Sequence, residues 1–586
     1  MYLSFFSNYL RPYKPQFALV LVLMVFESIV SLAIPFFIGQ FASSVLQEPS
    51  PGSFASSFGV DFSSIDYSVI VGIWLALIVL QSLARFQIGF RVNMVGARIL
   101  TNLSCRLYDH VQMLPMDYFS KRKKGEILSL ISNDANVIAY FLSGVLTGLV
   151  PSLLIAGGAI VLMANINWQL ALIIVLSVPA FFVLLKFLGR KIRPLSEQIT
   201  QQQAGIVSIA AENFSTIKLL KSFSKEQSES RKFKQNAHDM LALRKSQFRI
   251  QALISPLIQM LISIGIVLVV LVSALSYRSG DLSISQLITL LMYGLLFAKP
   301  MSNLANMYGQ VQQAMGASNR IIDVFKVSPE ADDSGKDVLE YKHGHIQLEQ
   351  VSFAYDDANT ACEGRVLLKD ASAQFLPKSV NIIVGANGSG KTTLMHLLMR
   401  FIEPKSGAIY IDGQDISQCT LRSLRKQIGL VSQDVALSHG SIFDNIAYGQ
   451  PDISSEQVEA AAKAAGAHAF IQSLENGYDT HVGDNGVLLS GGQRQRISLA
   501  RTLLLDCKII IFDEPTSFAD SLGKQSFADL LMNELKEHTV IVVTHDDDLK
   551  QLVIEQSGDN ASLNAIKHKA KGSVFALSEQ SLKLIQ

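Results

Sequence analysis

The chain has 586 residues, too many for one ordinary domain, and its formal net charge of +1 gives no reason to expect a nucleic-acid partner. Hydrophobic residues make up 49% and charged residues 17%, yet every long apolar run lies within residues 1–320, which sets a membrane half against a soluble α/β half. Cys105, Cys362, Cys419 and Cys507 lie far apart without metal-ligand spacing and read as reduced thiols.

The N-terminal stretch "MYLSFFSNYLRPYKPQF" has no small-residue cleavage site after its first apolar run. It reads as an amphipathic segment on the inner membrane face. Six stretches then suit bilayer crossing, at 17–42, 68–90, 139–163, 167–188, 252–276 and 282–303. The links 43–67, 164–166 and 277–281 contain a single basic residue, Arg278, whereas 91–138 and 189–251 are rich in Lys and Arg. The positive-inside rule therefore places the N-terminus, both long links and the C-terminal half in the cytoplasm. In the second long link Ile192, Leu195, Ile199, Ile206 and Ile209 recur at helical spacing, with a turn near 213–227. The first has its break near 113–126, at Pro115 and Gly125. Such stalks serve to pass movement between a membrane domain and a motor; a plain helical hairpin has the same periodicity.

Glu27, Arg85 and Lys299 are charged residues inside the spans. Arg85 and Lys299 each lie about 17 residues from the outer end of their spans, roughly 25 Å deep at the inner-leaflet level. Two cations at one depth suit an anionic amphiphile; equally, both side chains reach headgroups by snorkelling.

The polar stretch "KVSPEADDSGKD" opens a linker, 326–343, between a membrane domain at 1–325 and a soluble domain at 344–586. The strand "SVNIIVG" runs into Gly385, Ala386, Asn387, Gly388, Ser389, Gly390, Lys391, Thr392 and Thr393, which match G-x-x-x-x-G-K-[ST] in strand–loop–helix context. The glycines let backbone N–H groups curl around a β-phosphate, Lys391 faces the β/γ oxygens, and the Thr392 hydroxyl suits Mg²⁺. In "CKIIIFDEPTS" a buried strand ends on Asp513 and Glu514, which puts Asp513 where it suits Mg²⁺ and Glu514 where a base polarises water. "LLSGGQRQR" offers a second anion site, with Ser490, Gly491, Gly492 and Gln493 at a helix N-terminus.

These motifs, in this order, resemble the nucleotide-binding domain of ATP-binding cassette transporters over 344–545, and the whole chain resembles their exporter-type half-transporters. "LPMDYFSKRKKGEILSLISND" is similar to the family's first cytoplasmic link. The resemblance implies a multidomain fold, an all-α six-helix transmembrane domain followed by an α/β P-loop ATPase domain. It implies that Tyr355 stacks on adenine, that Gln433 senses Mg²⁺ beside Thr392 and Asp513, and that His545 contacts the γ-phosphate alongside Glu514. Ser490, Gly491, Gly492 and Gln493 match the family signature, which grips ATP held by a partner chain. "SFAD" (517–520) stands for the family's S-A-L-D, with Phe518 in place of alanine; Asp484 stands in the exporter-specific loop where Glu is usual. After His545 the sequence fits the exporter ending poorly, so no site is assigned there.

The implied activity is ATP-driven export or flipping of a hydrophobic or amphipathic substrate across the bacterial inner membrane, by a homodimer of half-transporters using ATP and Mg²⁺ among membrane lipids. The alternatives are a peptide exporter or one half of a heterodimeric multidrug exporter. The "AKP" step at 298–300 resembles the sixth span of bacterial lipid A flippases.

Overall fold

The computed structural model describes residues 11–46, 67–122, 124–278, 282–330, 333, 335–355, 366–386, 388–450, 452–483, 486–515, 521–556, 572–578 and 581–584. Two compact units emerge: Met1–Gln112 with Arg122–Ser328, and Met113–Lys121 with Pro329–Gln586.

Helices fill the N-terminal part: α1 (Lys14–Leu46), α2 (Tyr67–Gln112), α3 (Met116–Ser120), α4 (Lys124–Ser129), α5 (Ala135–Ile166), α6 (Trp168–Ser215), α7 (Ile217–Ser222), α8 (Glu226–Arg278) and α9 (Ile284–Lys326). Short α3 belongs to the second unit; the others belong to the first. Five of the helices carry a stretch long and apolar enough to cross a membrane, among the described residues. The remaining expected span, 167–188, lies in α6. At 46 residues, α2 is roughly 69 Å long, more than twice the thickness of a hydrocarbon core. Its membrane part is apolar and its far part polar, so it continues as a stalk. α6 and α8 pack side by side beyond the membrane, where Arg244 donates to Gln203 at 3.2 Å and Gln247 to Ser196 at 3.0 Å. The expected turn between them is α7.

Close approach joins α1 to α9. A Cβ at Gly39 would lie 1.9 Å from Thr289 Oγ1, so only glycine fits. The Ser285 hydroxyl donates to the Gly39 carbonyl at 2.7 Å and Tyr293 to the Leu32 carbonyl at 3.0 Å. Small residues and interhelical hydrogen bonds of this kind hold helices together where lipid offers no hydrophobic drive.

Glu27 and Arg85 meet between α1 and α2. The guanidinium donates from Nε at 2.8 Å and from Nη2 at 2.7 Å to Glu27 Oε1. Ser31 and Gln81 donate to the same carboxylate at 3.2 and 3.4 Å. The Glu27 side chain is 7% exposed and that of Arg85 55%. This revises the expectation of two equivalent cations: Arg85 is neutralised by a buried carboxylate, whereas Lys299 is exposed and has no ion-pair partner among the described residues.

The second unit holds two sheets. β1 (Ile346–Ala354), β2 (Val366–Phe375), β4 (Ser406–Ile411) and β5 (Gln414–Asp415) form an antiparallel sheet ordered β2-β1-β4-β5. β3 (Val380–Val384), β6 (Ile428–Val431), β7 (Ile509–Asp513), β8 (Thr539–Thr544), β9 (Gly572–Ser578) and β10 (Ser581–Leu584) form the other, ordered β10-β9-β3-β8-β7-β6. Its pairings are parallel except β9 with β10. The central strands are apolar on both faces, as crossover-connected parallel strands must be. Ile509 and Ile511 pack into one core while Ile510 and Phe512 pack into the other; Ile541 and Val543 alternate likewise with Val540 and Val542. Besides α3, the helices described in this unit are α10 (Lys391–Leu398), α11 (Leu421–Gln427), α12 (Ile442–Ile446), α13 (Ser455–Ala464), α14 (His468–Gln472), α15 (Gly491–Leu504), α16 (Ser521–Asn533) and α17 (Asp547–Gln556).

The segment expected as a linker is largely bound to this unit. Leu339 is buried, Asp337 exchanges backbone hydrogen bonds with Gln418 and Thr420, and Glu330 pairs with both Nη atoms of Arg425 at 2.9 and 2.6 Å. The Asp412 carboxylate accepts backbone N–H groups from Lys342, His343, Gly344 and His345 at 2.8–3.0 Å. Burial alone would raise its pKa, yet these four bonds hold it below the ordinary aspartate value.

Candidate functional site

Four parallel strands end together. In register, Val384 of β3 stands opposite Thr544 of β8, Val543 opposite Asp513 of β7, and Phe512 opposite Val431 of β6. The residues just beyond these ends are therefore neighbours at the carboxyl edge of the sheet, where α/β proteins place ligands. That single fact gathers the loop after Val384, Glu514 after Asp513, His545 after Thr544, and Gln433 two residues after Val431.

A pocket of about 350 Å³ opens here, lined by Tyr355, Leu367, Gly388, Gly390, Lys391, Thr392, Thr393, Gln433, Asp513 and Glu514. Seven of the sequence-predicted side chains thus share one pocket: Tyr355, Lys391, Thr392, Thr393, Gln433, Asp513 and Glu514. Gly385, Ala386 and Ser389 complete the described part of the loop; Asn387 lies outside the described residues. The loop is tight because it must turn from β3 into α10. A Cβ at Gly385 would come within 2.7 Å of both the Leu577 carbonyl and Ser389 Oγ. Gly390 caps α10 at φ +103°, a left-handed conformation suited to glycine. The Lys391 ammonium, only 6% exposed, donates to the carbonyls of Gly385 at 2.7 Å and Ala386 at 3.1 Å. Among the described residues the Lys391 ammonium donates only to these neutral carbonyls, and Ser389 Oγ is buried without a hydrogen-bond partner. Both features suit a bound polyphosphate.

Opposite stand the acids. Burial raises the pKa of Asp513 above the ordinary aspartate value, and Glu514 raises it further, against the opposing pull of Lys391. Two adjacent carboxylates lining one pocket with Thr392 and Gln433 fit a hard divalent cation of the Mg²⁺ type, which needs few protein ligands when phosphate oxygens supply others. Glu514 sits at φ +49°, uncommon for a residue with a side chain, and its N–H donates to the Val543 carbonyl at 2.8 Å. Its two carboxylate oxygens diverge: Oε1 lies 3.0 Å from His545 Nδ1, and Oε2 accepts from Gln433 Nε2 at 3.2 Å.

Ser490, Gly491, Gly492 and Gln493 are elsewhere. Ser490 caps α15 in a reciprocal box, its Oγ accepting the Gln493 N–H at 3.3 Å and its N–H donating to Gln493 Oε1 at 2.9 Å. None of the four lines the pocket. At Gly492 a Cβ would meet nothing within 4 Å, so nothing in its own surroundings calls for glycine. "SFAD" (517–520) and Asp484 lie outside the described residues.

Sequence reasoning missed two features. Leu367, at the start of β2, lines the pocket with Tyr355 without any motif to announce it. Leu577, in the poorly matching C-terminal region, belongs to β9, which pairs with β3 directly beneath the loop. The alternating pattern "SVFALS" was its one signal.

Comparison with known proteins agrees with this anatomy. The family model described as the ABC transporter transmembrane region matches residues 17–301, and that described as ABC transporter matches residues 368–517. The "ABC transporter B family member 1" of Dictyostelium discoideum is 30% identical over 535 residues, 91% of this chain; the chain spans only 57% of that relative's length. The "ATP-dependent lipid A-core flippase" of Legionella pneumophila (strain Paris) is 31% identical over 490 residues, covering 83% of this chain and 82% of the relative. Among solved structures, "Structure of a bacterial Atm1-family ABC exporter with ATP bound" superposes with a TM-score of 0.81 at 22% identity, covering 97% of this chain and 94% of that one, and so shares the fold. With both halves matched in order, and a relative at 31% identity matched over most of its length, the chain is a multi-pass membrane protein of the ABC transporter family.

Proposed function

We propose that the chain is one half of a homodimeric exporter that uses ATP hydrolysis to move an amphipathic, anionic substrate across a bacterial inner membrane. The observation that carries this reading is the split between two anion sites. The pocket is lined by the loop, the acids and Tyr355, while none of the signature residues lines it, and Gly492 is a glycine that its own surroundings do not explain. A second copy of the chain supplies the missing wall. Exposed Phe214, Leu219 and Phe223 around α7 give the tip of the α6–α8 hairpin an apolar face that suits a docking partner.

In this reading Tyr355 stacks on the adenine, and the loop N–H groups with Lys391 hold the phosphates. Thr392, Asp513 and Gln433 would hold Mg²⁺, which would supply charge neutralisation at the transferring phosphoryl group. Glu514 accepts a proton from the attacking water, and His545 and Gln433, which grip its two oxygens, fix the direction in which it accepts. Ser490 and the amides of Gly491 and Gly492, capped by Gln493, close on the γ-phosphate of nucleotide held by the partner. Closure of the two motors opens the cavity outward; hydrolysis and release reset it.

Cargo class rests on the membrane charges and on the relatives named lipid A-core flippases. With Arg85 tied to Glu27, Lys299 is an exposed cation at the inner-leaflet level with no ion-pair partner among the described residues. The test is ATPase activity of the purified protein in vesicles with and without a phosphorylated anionic lipid. Stimulation that Lys299→Ala lowers by about tenfold supports the reading. Equal stimulation of both proteins points to a neutral drug or a peptide. A heterodimer with an unlike sister chain is the alternative, and it predicts an inactive homodimer.

A further inference from the structure

Three consecutive acids, Asp546, Asp547 and Asp548, follow His545, and the motif analysis left them without a role. Asp546 immediately precedes α17 and Asp548 lies in its first turn, where carboxylates suit the positive end of a helix. Lys524 comes from α16, more than twenty residues earlier. Its ammonium lies 2.7 Å from Asp546 Oδ2 and 2.9 Å from Asp548 Oδ2. Lys524 and Asp546 are 19% and 16% exposed, so their pair is sheltered; Asp548 is 79% exposed and adds little. A lysine in the first turn of a helix opposes the helix dipole, so the acids, not α16 itself, account for its position.

Asp546 is fixed from its other side as well. Its N–H donates to Thr544 Oγ1 at 3.0 Å, and its Oδ1 accepts the Asp548 N–H at 3.1 Å. Thr544 ends β8 and is buried. The backbone on both sides of His545 is therefore anchored, to the sheet through Thr544 and to α16 through Lys524. The imidazole itself is 54% exposed, so packing around the ring does not set its aim at Glu514. Its aim is set by where the backbone puts it.

We infer that Lys524 is a positioning residue for hydrolysis, holding His545 against Glu514 through its ion pair with Asp546. The inference rests on the roles proposed for His545 and Glu514. Its test is a charge exchange in the full-length protein in lipid nanodiscs. Lys524→Asp and Asp546→Lys each place like charges together, and each is expected to lower kcat about tenfold while the KM for ATP stays within about twofold. The double variant restores an opposite-charge pair and is expected to return kcat to within about threefold of the unaltered protein. Lys524→Arg retains turnover. Lys524→Gln, the milder change, gives the same kcat loss in smaller measure should a charge reversal fail to fold, with binding of a fluorescent ATP analogue confirming the fold. A double variant no faster than the slower single, or Lys524→Gln and Lys524→Asp with full turnover, overturns the inference. Near-normal hydrolysis by Glu514→Gln would instead remove the reading beneath it, while the exchange would still report whether the two charges are coupled.

Discussion

Replacing Glu514 by Gln changes one atom and leaves nearly everything else in place. The amide has the size of the carboxyl, and the backbone at φ +49°, anchored by its 2.8 Å bond to the Val543 carbonyl, has no reason to move. Gln433 keeps an acceptor in the amide oxygen, since its Nε2 lies 3.2 Å from Oε2. Lys391, Thr392 and Asp513, which hold the phosphates and Mg²⁺ in the proposed reading, do not depend on that atom. What disappears is a proton acceptor. General-base assistance contributes 10²–10⁴-fold, so the substitution is expected to slow turnover by at least about a hundredfold, roughly 2.7 kcal/mol in the barrier. ATP affinity, read by a fluorescent analogue, is expected to stay within about threefold, because no contact with the nucleotide is lost. Phosphate release measured in lipid nanodiscs checks the first number. A Glu514→Gln protein that hydrolyses ATP at more than about a third of the normal rate would refute the reasoning and remove Glu514 from its role.

Lys391→Ala acts differently: it deletes the buried lysine that holds the phosphates in the proposed reading, so nucleotide binding itself is expected to weaken by at least about tenfold, by the same analogue titration. Asp412→Asn removes the charge that accepts four backbone N–H groups from 342–345, and is expected to cost about 2 kcal/mol at neutral pH, seen as an earlier unfolding transition of the full-length protein. The sign with pH follows from the lowered pKa: the stabilisation is complete above the unfolded value near 4 and fades as pH falls through the lower folded value, so the difference between variant and parent shrinks only in acid.

The parts of the site that lie within one motif were legible in the sequence because their chemistry is local. Strand, loop and helix are consecutive around Lys391, and Asp513 and Glu514 end an unbroken apolar strand. The place of Gln433 and His545 in the assembly was legible only through resemblance, because nothing in residues 385–393 states that they stand close by. The strand register supplies that physical reason. Arg85 and Glu27 show a limit of the opposite kind. Both were marked as intramembrane charges, but the rotation of two helices about their axes decides whether they meet, and sequence spacing does not contain it. The C-terminal strand β9 escaped because it follows an unfamiliar stretch, although its alternation was visible. The supposed linker escaped because polar composition suggests a tether, whereas here polar backbone groups are held by Asp412 and by the Cys419 neighbourhood.

The central claim is that ATP lies between two chains, each contributing one of the two anion sites. Mixing differently tagged Lys391→Ala and Ser490→Arg chains, and purifying the mixed pair through both tags, tests it directly. One composite site then carries both lesions and the other carries none. ATP hydrolysis at about half the normal rate by the mixed pair, with each mutant inactive when paired with itself, is the result this account predicts. A mixed pair as inactive as its parents, or full hydrolysis by a purified single chain, would contradict it.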